Sequence, residues 1–237
     1  MKGIILAGGT GSRLFPLTKV TNKHLLPIGK EPMIFHPIKR ILETGIDEIL
    51  IVTGLEHMGA FVNLLGSGKD FNCKFTYKVQ DEAGGIAQAL GLAKNFAGND
   101  DVLVILGDNI FNSNISEHIK SFNSGATIFI QKVNDPSRYG VPILQGKNII
   151  AIEEKPANPK SDFAVTGIYI YDQQVFDFIE NLKPSARGEL EITDVNNAYI
   201  KEKKLTYAVL DGEWTDAGTF ESYYYSNQMV HDLNEPK

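Results

Sequence analysis

The sequence holds one cysteine, Cys73, so no disulfide can close within the chain. It has no apolar run long enough to span a bilayer. Basic residues are outnumbered, with 23 Lys and Arg against 29 Asp and Glu, a net charge of -6. That balance argues against nucleic acid as the main partner, because a phosphate backbone needs a basic face. Histidine is scarce, and His24, His36 and His57 lack carboxylate or cysteine neighbours at ligand spacing, so they read as structural or surface residues. Low-complexity tracts and internal repeats are missing too. Met1-Lys2-Gly3 leads into an apolar strand with no basic leader, and the expectation is a cytoplasmic protein.

What is present suits one α/β unit. With 237 residues and 43% hydrophobic side chains, the chain can bury a substantial core. Short apolar runs at 4–7, 49–52 and 102–106 predict buried strands, and 73–79 a looser one that carries Cys73 as a small apolar residue. Helical spacing falls at 32–45, 57–65 and 86–96. Strands alternating with helices imply right-handed crossovers and a mostly parallel sheet covered on both faces. After about residue 125 the strands crowd together, at 127–130, 141–144, 149–152 and 166–171, which suggests antiparallel pairing. Helices follow near 174–181 and 189–202, then a strand at 205–210 and a last helix at 219–231 with Asp216 just before it. The reading is a single domain over 1–237, with a nucleotide-binding half to about 125 and a β-rich, substrate-binding half beyond.

The first run ends in Gly8-Gly9-Thr10-Gly11-Ser12-Arg13. Glycines there permit a sharp exit from the strand and backbone amides that wrap an anion; Arg13 and Lys23 add positive charge. Neither a G-x-G-x-x-G fingerprint nor a Walker Gly-Lys-Ser/Thr ending fits, since Leu14 stands where a third glycine belongs. Polyphosphate is the simplest ligand, and a glycine-rich turn without a ligand is the alternative. Leu106-Gly107-Asp108-Asn109 ends a buried strand in a carboxylate, and Thr215-Asp216-Ala217-Gly218 offers another. Two such aspartates suit a magnesium-type ion, while turn or cap roles suit them equally. Glu154 and Lys155, adjacent before Pro156, face opposite ways on a strand or form a solvated surface pair.

These blocks in order, with Ala164-Val165-Thr166-Gly167-Ile168-Tyr169, Ser185-Ala186-Arg187-Gly188-Glu189-Leu190-Glu191-Ile192-Thr193-Asp194-Val195-Asn196 and Trp214-Thr215-Asp216-Ala217-Gly218-Thr219, resemble the sugar nucleotidyltransferase family, and within it the short glucose-1-phosphate thymidylyltransferases. The resemblance covers nearly the whole chain and implies a Rossmann-like, mostly parallel sheet with a β-rich sugar-binding half. It implies that Gly8, Gly9, Thr10, Gly11, Ser12 and Arg13 hold the triphosphate of dTTP with Lys23 assisting, and that Leu6 and Gly8 line the nucleoside pocket. Gln80 and Gly85 would meet thymine. Asp108 and Asp216 would carry Mg2+, placing Asp108 against the nucleotide as well. Tyr139, Gly140, Glu154, Val165, Tyr169, Arg187 and Trp214 would surround glucose 1-phosphate, and Lys155 would hold its phosphate. Arg13, Lys23, Asp108, Lys155 and Asp216 would then carry the catalysis.

The run Asp81-Glu82-Ala83-Gly84 lacks the prolines of longer members, and the chain ends soon after the helix that follows Asp216, as in shorter ones. A homo-oligomer is the family expectation, and Tyr223-Tyr224-Tyr225 could face a second subunit or the protein's own sheet. Rival readings are the same chemistry with UTP or another hexose 1-phosphate, a non-catalytic sugar-nucleotide sensor, and a nicotinamide oxidoreductase.

Overall fold

A computed structural model describes residues 1–234, with side chains to residue 231. The first half comprises β1 (Lys2–Ala7), β2 (Pro27–Ile28), β3 (Glu31–Pro32), α1 (Phe35–Leu42), β4 (Glu48–Gly54), α2 (Met58–Leu65) and β5 (Lys74–Gln80). It continues with α3 (Ile86–Gly91), α4 (Lys94–Ala97), β6 (Val102–Leu106), β7 (Asn109–Phe111) and α5 (Ser116–Ser121). The second half comprises β8 (Ala126–Lys132), β9 (Gly140–Gln145), β10 (Asn148–Glu154), β11 (Phe163–Tyr171) and α6 (Gln174–Glu180). It closes with α7 (Ile192–Lys201), β12 (Leu205–Val209), β13 (Trp214–Asp216) and α8 (Phe220–Asn234).

The continuous apolar runs form the centre of a seven-stranded sheet, ordered β12-β8-β11-β6-β1-β4-β5. Residues of alternate parity face opposite sides of it. Ile4, Leu6, Leu50, Val52 and Val104 pack with Leu90, Val175 and Val195 from α3, α6 and α7. Ile5, Ile49, Ile51, Leu103 and Ile105 pack with Ile38, Ile41, Phe61 and Leu65 from α1 and α2. Burial on both faces is why these strands read as unbroken hydrophobic runs. At the edge, β5 alternates polar and apolar side chains and presents Lys74 and Lys78.

The antiparallel pairing expected in the second half is present, within a sheet shared with the first half. β8 and β12 pair in parallel with each other, while β11 runs antiparallel to both β6 and β8. Only β11 is therefore reversed, and the sheet is continuous across the two halves. β9 and β10 form their own antiparallel hairpin. The expected helix at 86–96 breaks into α3 and α4, and α4 stops at Gly98 with φ 60°. The helix expected from 189 starts at Ile192, because a turn uses the preceding residues: Ser185 N donates to Glu189 O, and Gly188 sits at φ 75°. Pro32 belongs to β3, and α1 starts at Phe35.

Two local features bring distant chain segments together. β7 pairs with β13, setting Asn109 opposite Asp216, and Ala217 N donates to Asp108 O at 2.8 Å. Within β11 the register to β8 shifts between Val165 and Tyr169, a bulge that turns Gly167 toward β7. On α8, Tyr223 donates to Pro27 O, and Tyr224 and Tyr225 are exposed, with the Tyr225 hydroxyl on Glu213. Among the described residues no helix is long and apolar enough to cross a membrane.

Candidate active site

A cavity of about 390 Å³ opens where β1, β5 and β6 end, a size suited to a small ligand. The glycine loop forms one wall. Leu14 is fully buried and pins the loop from below, a burial that contributes roughly 2 kcal/mol, while Gly11 takes φ 66° to start the turn through Leu14. Gly8 and Gly107 both stand close to neighbouring side chains. A Cβ on Gly8 would lie 2.1 Å from Gln80 Oε1, and one on Gly107 would lie 2.7 Å from the His24 ring. Gln80, at the end of β5, donates its Nε2 to Gln88 Oε1 at 2.6 Å, which turns its own oxygen toward Gly8. Gly85, at φ 99°, abuts Leu190, whose N–H donates to Gly84 O at 2.8 Å. The loop after β5 and the Arg187 loop are thereby joined through the backbone.

Lys23 and Asp108 form a buried ion pair, Nζ to Oδ2. Asn109 Nδ2 donates to the other Asp108 oxygen at 3.0 Å, and Asn109 Oδ1 accepts from Trp214 Nε1 at 2.6 Å and from Gly167 N at 2.8 Å. One buried amide thus fixes the carboxylate, the indole and the bulge. Burial pushes the Asp108 carboxyl up, but the Lys23 ammonium and the hydrogen bonds from Lys23 and Asn109 outweigh it and hold it well below the usual carboxylate range. Beside them His24 is buried, its Nδ1 2.6 Å from Asn22 Oδ1, so that nitrogen carries the proton. Burial, aided by the Lys23 charge, lowers its pKa to about 3 and keeps the ring neutral.

Asp216 Oδ1 accepts from the Tyr139 hydroxyl at 2.9 Å, and Oδ2 lies 3.6 Å from Arg138 Nη2. Burial and the neighbouring Asp108 charge raise the Asp216 pKa, against the opposing pull of Tyr139, Arg138 and Arg13. Burial and the Asp216 charge raise the Tyr139 phenol, which stays a proton donor.

The far wall comes from β9, β10, β11 and α7. Glu154 Oε2 accepts from Thr193 Oγ1 at 2.5 Å, and Oε1 lies 3.4 Å from Arg187 and 3.7 Å from Lys155. Arg187 forks onto Glu191 with contacts of 2.8 and 2.9 Å from Nη2 and 3.1 Å from Nε. Lys155 holds a left-handed backbone, φ 45°, while its N–H donates to Tyr139 O at 2.9 Å. That conformation costs a residue with a Cβ roughly 1–2 kcal/mol, and the β9–β10 pairing holds it in place.

Residues 2–232 match the family profile described as Nucleotidyl transferase. This chain belongs to that family. A glucose-1-phosphate thymidylyltransferase of Neisseria meningitidis is 44% identical over 98% of this chain and 83% of its own length. One of Mycolicibacterium smegmatis, with the same name, is 41% identical over the same shares. A solved structure from Bacillus anthracis, assigned that activity and crystallised with sucrose, is 57% identical. It superposes at TM-score 0.95 over 100% of this chain and 98% of its own. A UDP-glucose pyrophosphorylase complexed with UDP-glucose is 25% identical with TM-score 0.86, covering 98% and 99%.

In this nucleotidyl transferase, Leu6, Gly8, Gly9, Arg13, Lys23, Gln80, Gly85, Asp108 and Asp216 line the cavity. Tyr139, Gly140, Glu154, Lys155, Val165, Tyr169, Arg187 and Trp214 line it too. Thr10, Gly11 and Ser12 do not join the lining: the loop turns away after Gly9, Thr10 and Ser12 are exposed, and Arg13 alone reaches back. Asp216 is not a helix cap either; it lies in β13, and Thr219 Oγ1 accepts from Ser222 N at the start of α8. His24, read as structural or surface, lines the cavity, as do Asn109, Arg138, Glu191 and Thr193, which sequence reading passed over. Adjacency was the available signal for three of them, since they neighbour Lys23, Asp108 and Tyr139. Glu191 and Thr193 sit in a block that carried the family resemblance.

Proposed function

We propose that this nucleotidyl transferase moves a deoxythymidylyl group from dTTP to glucose 1-phosphate, giving dTDP-glucose and pyrophosphate. The observation that carries the reading is the pairing of β7 with β13, which sets Asp108 and Asp216 between the glycine loop and the Lys155–Arg187 wall. The glycine loop, Arg13 and Lys23 take the triphosphate, with the base between Gln80 and Gly85 and the nucleoside over Leu6 and Gly8. Lys155 and Arg187 take the sugar phosphate, and Glu154, Tyr139, Gly140, Val165, Tyr169 and Trp214 enclose the hexose.

In the reaction a phosphate oxygen of glucose 1-phosphate attacks the α-phosphorus of dTTP, and the bond to the β-phosphate oxygen breaks as pyrophosphate leaves. A phosphate monoester is already nucleophilic near neutral pH, so the chain supplies no general base. Alignment and offset of charge are its main work. The lining carries Arg13, Lys23, Arg138, Lys155 and Arg187 against Asp108, Glu154, Glu189, Glu191 and Asp216, so it is formally neutral. Two polyanionic substrates therefore call for added positive charge. The donor set fits a magnesium-type ion, because Asp108 and Asp216 offer hard oxygens, and burial together with the Asp108 charge raises Asp216. When bound there, the ion would neutralise phosphate oxygens beside the reacting centre.

The test is pyrophosphate release from glucose 1-phosphate and magnesium with dTTP, UTP, CTP, ATP or GTP supplied separately. Fast release with dTTP alone is expected. Comparable release with UTP would remove thymine selectivity. No release with any of them, nor with other hexose 1-phosphates, would overturn the enzymatic reading in favour of a sensor.

A further inference from the structure

Arg138 ends the turn Pro136–Arg138, where the Asp135 side chain accepts from Ser137 N at 3.2 Å and sets the approach to β9. Its side chain is 35% exposed, but Nη2 itself is sealed from solvent and makes no hydrogen bond. The nearest carboxylate oxygen, Asp216 Oδ2, is 3.6 Å away, too far to count as a hydrogen bond, and the guanidinium lies 5.4 Å from the Tyr139 ring centre. A cationic donor held dry without an acceptor is costly, and such a group points to an acceptor that arrives later.

The position indicates which acceptor. The cations of the cavity gather on separate carboxylates. Lys155 and Arg187 share Glu154, on the sugar-phosphate wall. Arg138 and Arg13 act on Asp216, on the glycine-loop side: the space beside Gly218 is bounded by Arg13 Nη2 and Asp216 Oδ2, 3.1 and 3.3 Å from where a Cβ would stand. Asp216 accepts from Tyr139 through Oδ1, and at 3.6 Å its Oδ2 does not satisfy Arg138. A phosphate chain can, since its oxygens match the planar fork of arginine.

We propose that Arg138 binds the β- and γ-phosphates of the nucleotide, and then the leaving pyrophosphate, with Asp216 holding its place while the cavity is empty. This rests on the nucleotidyl-transfer reading for the identity of the triphosphate, but not for the recognition of a pyrophosphate group.

The probe is built in. Trp214 is the single tryptophan of the chain, and it packs edge-on to Tyr139 at 5.4 Å in the cavity wall. Its fluorescence, in magnesium, reports titrations of wild type, Arg138→Met and Arg138→Lys with dTTP, dTMP and inorganic pyrophosphate. For Arg138→Met the dissociation constants of dTTP and pyrophosphate should rise about 10- to 100-fold, the scale of a lost charged hydrogen bond. That of dTMP should stay within about twofold, because dTMP lacks the phosphates in question. Arg138→Lys keeps charge without the fork and should fall between, and an unchanged melting temperature for it shows that the fold is intact. Unchanged dTTP and pyrophosphate binding in the Met variant, or dTMP binding weakened in parallel, would overturn the assignment. If wild type takes pyrophosphate but not dTTP, the donor proposed above fails and the Arg138 assignment is decided by the pyrophosphate arm. Failure of wild type to bind either overturns both.

Discussion

Replacing Lys23 with Met removes the ammonium from a buried pair and leaves Asp108 in place. The side chains are 11% and 13% exposed, so neither charge is screened as a surface pair would be. Breaking one partner of a buried pair costs about 3–5 kcal/mol, and the cavity mouth puts this one near the lower end, at about 3 kcal/mol. A whole domain is stable by roughly 5–15 kcal/mol, so the variant should fold but with a clear loss. Adding Asp108→Asn removes the stranded charge, and the double variant should return to within about 1 kcal/mol of the wild type, whereas Asp108→Asn alone strands Lys23.

The pH dependence gives the reasoning a sign. In the wild type the Asp108 carboxyl is held below its unfolded value of about 3.9, so its stabilisation is present above that pH and is lost as the pH falls toward the folded pKa. Without Lys23, burial is opposed only weakly and the folded pKa moves above the unfolded one. The Lys23→Met variant is then weakest at neutral pH, and its deficit shrinks as acid protonates Asp108. Urea unfolding followed by circular dichroism at pH 7 and pH 5 measures this gap in both proteins. A deficit under about 1 kcal/mol at pH 7, or one that grows on acidification, would refute the account.

Two further outcomes follow from the same pocket. Asn109→Ala strands the Trp214 Nε1–H and the Gly167 N–H, at roughly 1–3 kcal/mol each, so urea unfolding should show a loss of about 3 kcal/mol, Trp214 emission should shift, and turnover should fall at least about tenfold. His24, lowered to about 3 by burial, stays neutral when folded but takes a proton at about 6.5 when unfolded. Its contribution is complete above about pH 6.5 and declines as the pH falls from there toward 3, by up to about 1.4 kcal/mol per pH unit. His24→Gln should flatten that decline in urea midpoints; an unchanged slope would remove His24 as its source.

Much of the architecture is legible in local pattern. The runs that became β1, β4 and β6 are apolar on both faces, and only a sheet covered on both sides buries such runs. The glycines after Ala7 likewise announce a backbone that must pass close to something, and Gly8 does pass Gln80. Pattern fails where a segment's role depends on what it meets. Strand spacing after residue 125 pointed to antiparallel pairing, which β9–β10 and both sides of β11 bear out, yet β8 and β12 pair in parallel, because pairing direction is set by connections and partners rather than by composition. Residues 189–191 look helical in sequence and instead close a turn that carries Arg187.

The sequence by itself determined the fold class, the glycine loop beside the cavity and, through the family its motifs resemble, most of the residues that line it. Only the tertiary structure decided how they are charged and held. Asp108 and Asp216 are 108 positions apart in the sequence and meet because β7 pairs with β13. Asp108 is depressed and Asp216 raised because Lys23 reaches one while the other feels burial and its neighbour's charge. Arg138 emerges as a candidate only when its nitrogen is found dry and without an acceptor. Backbone preference and periodicity act over a few residues and are written locally. Desolvation and Coulomb energy depend on distances in space, which exist only once the chain has folded.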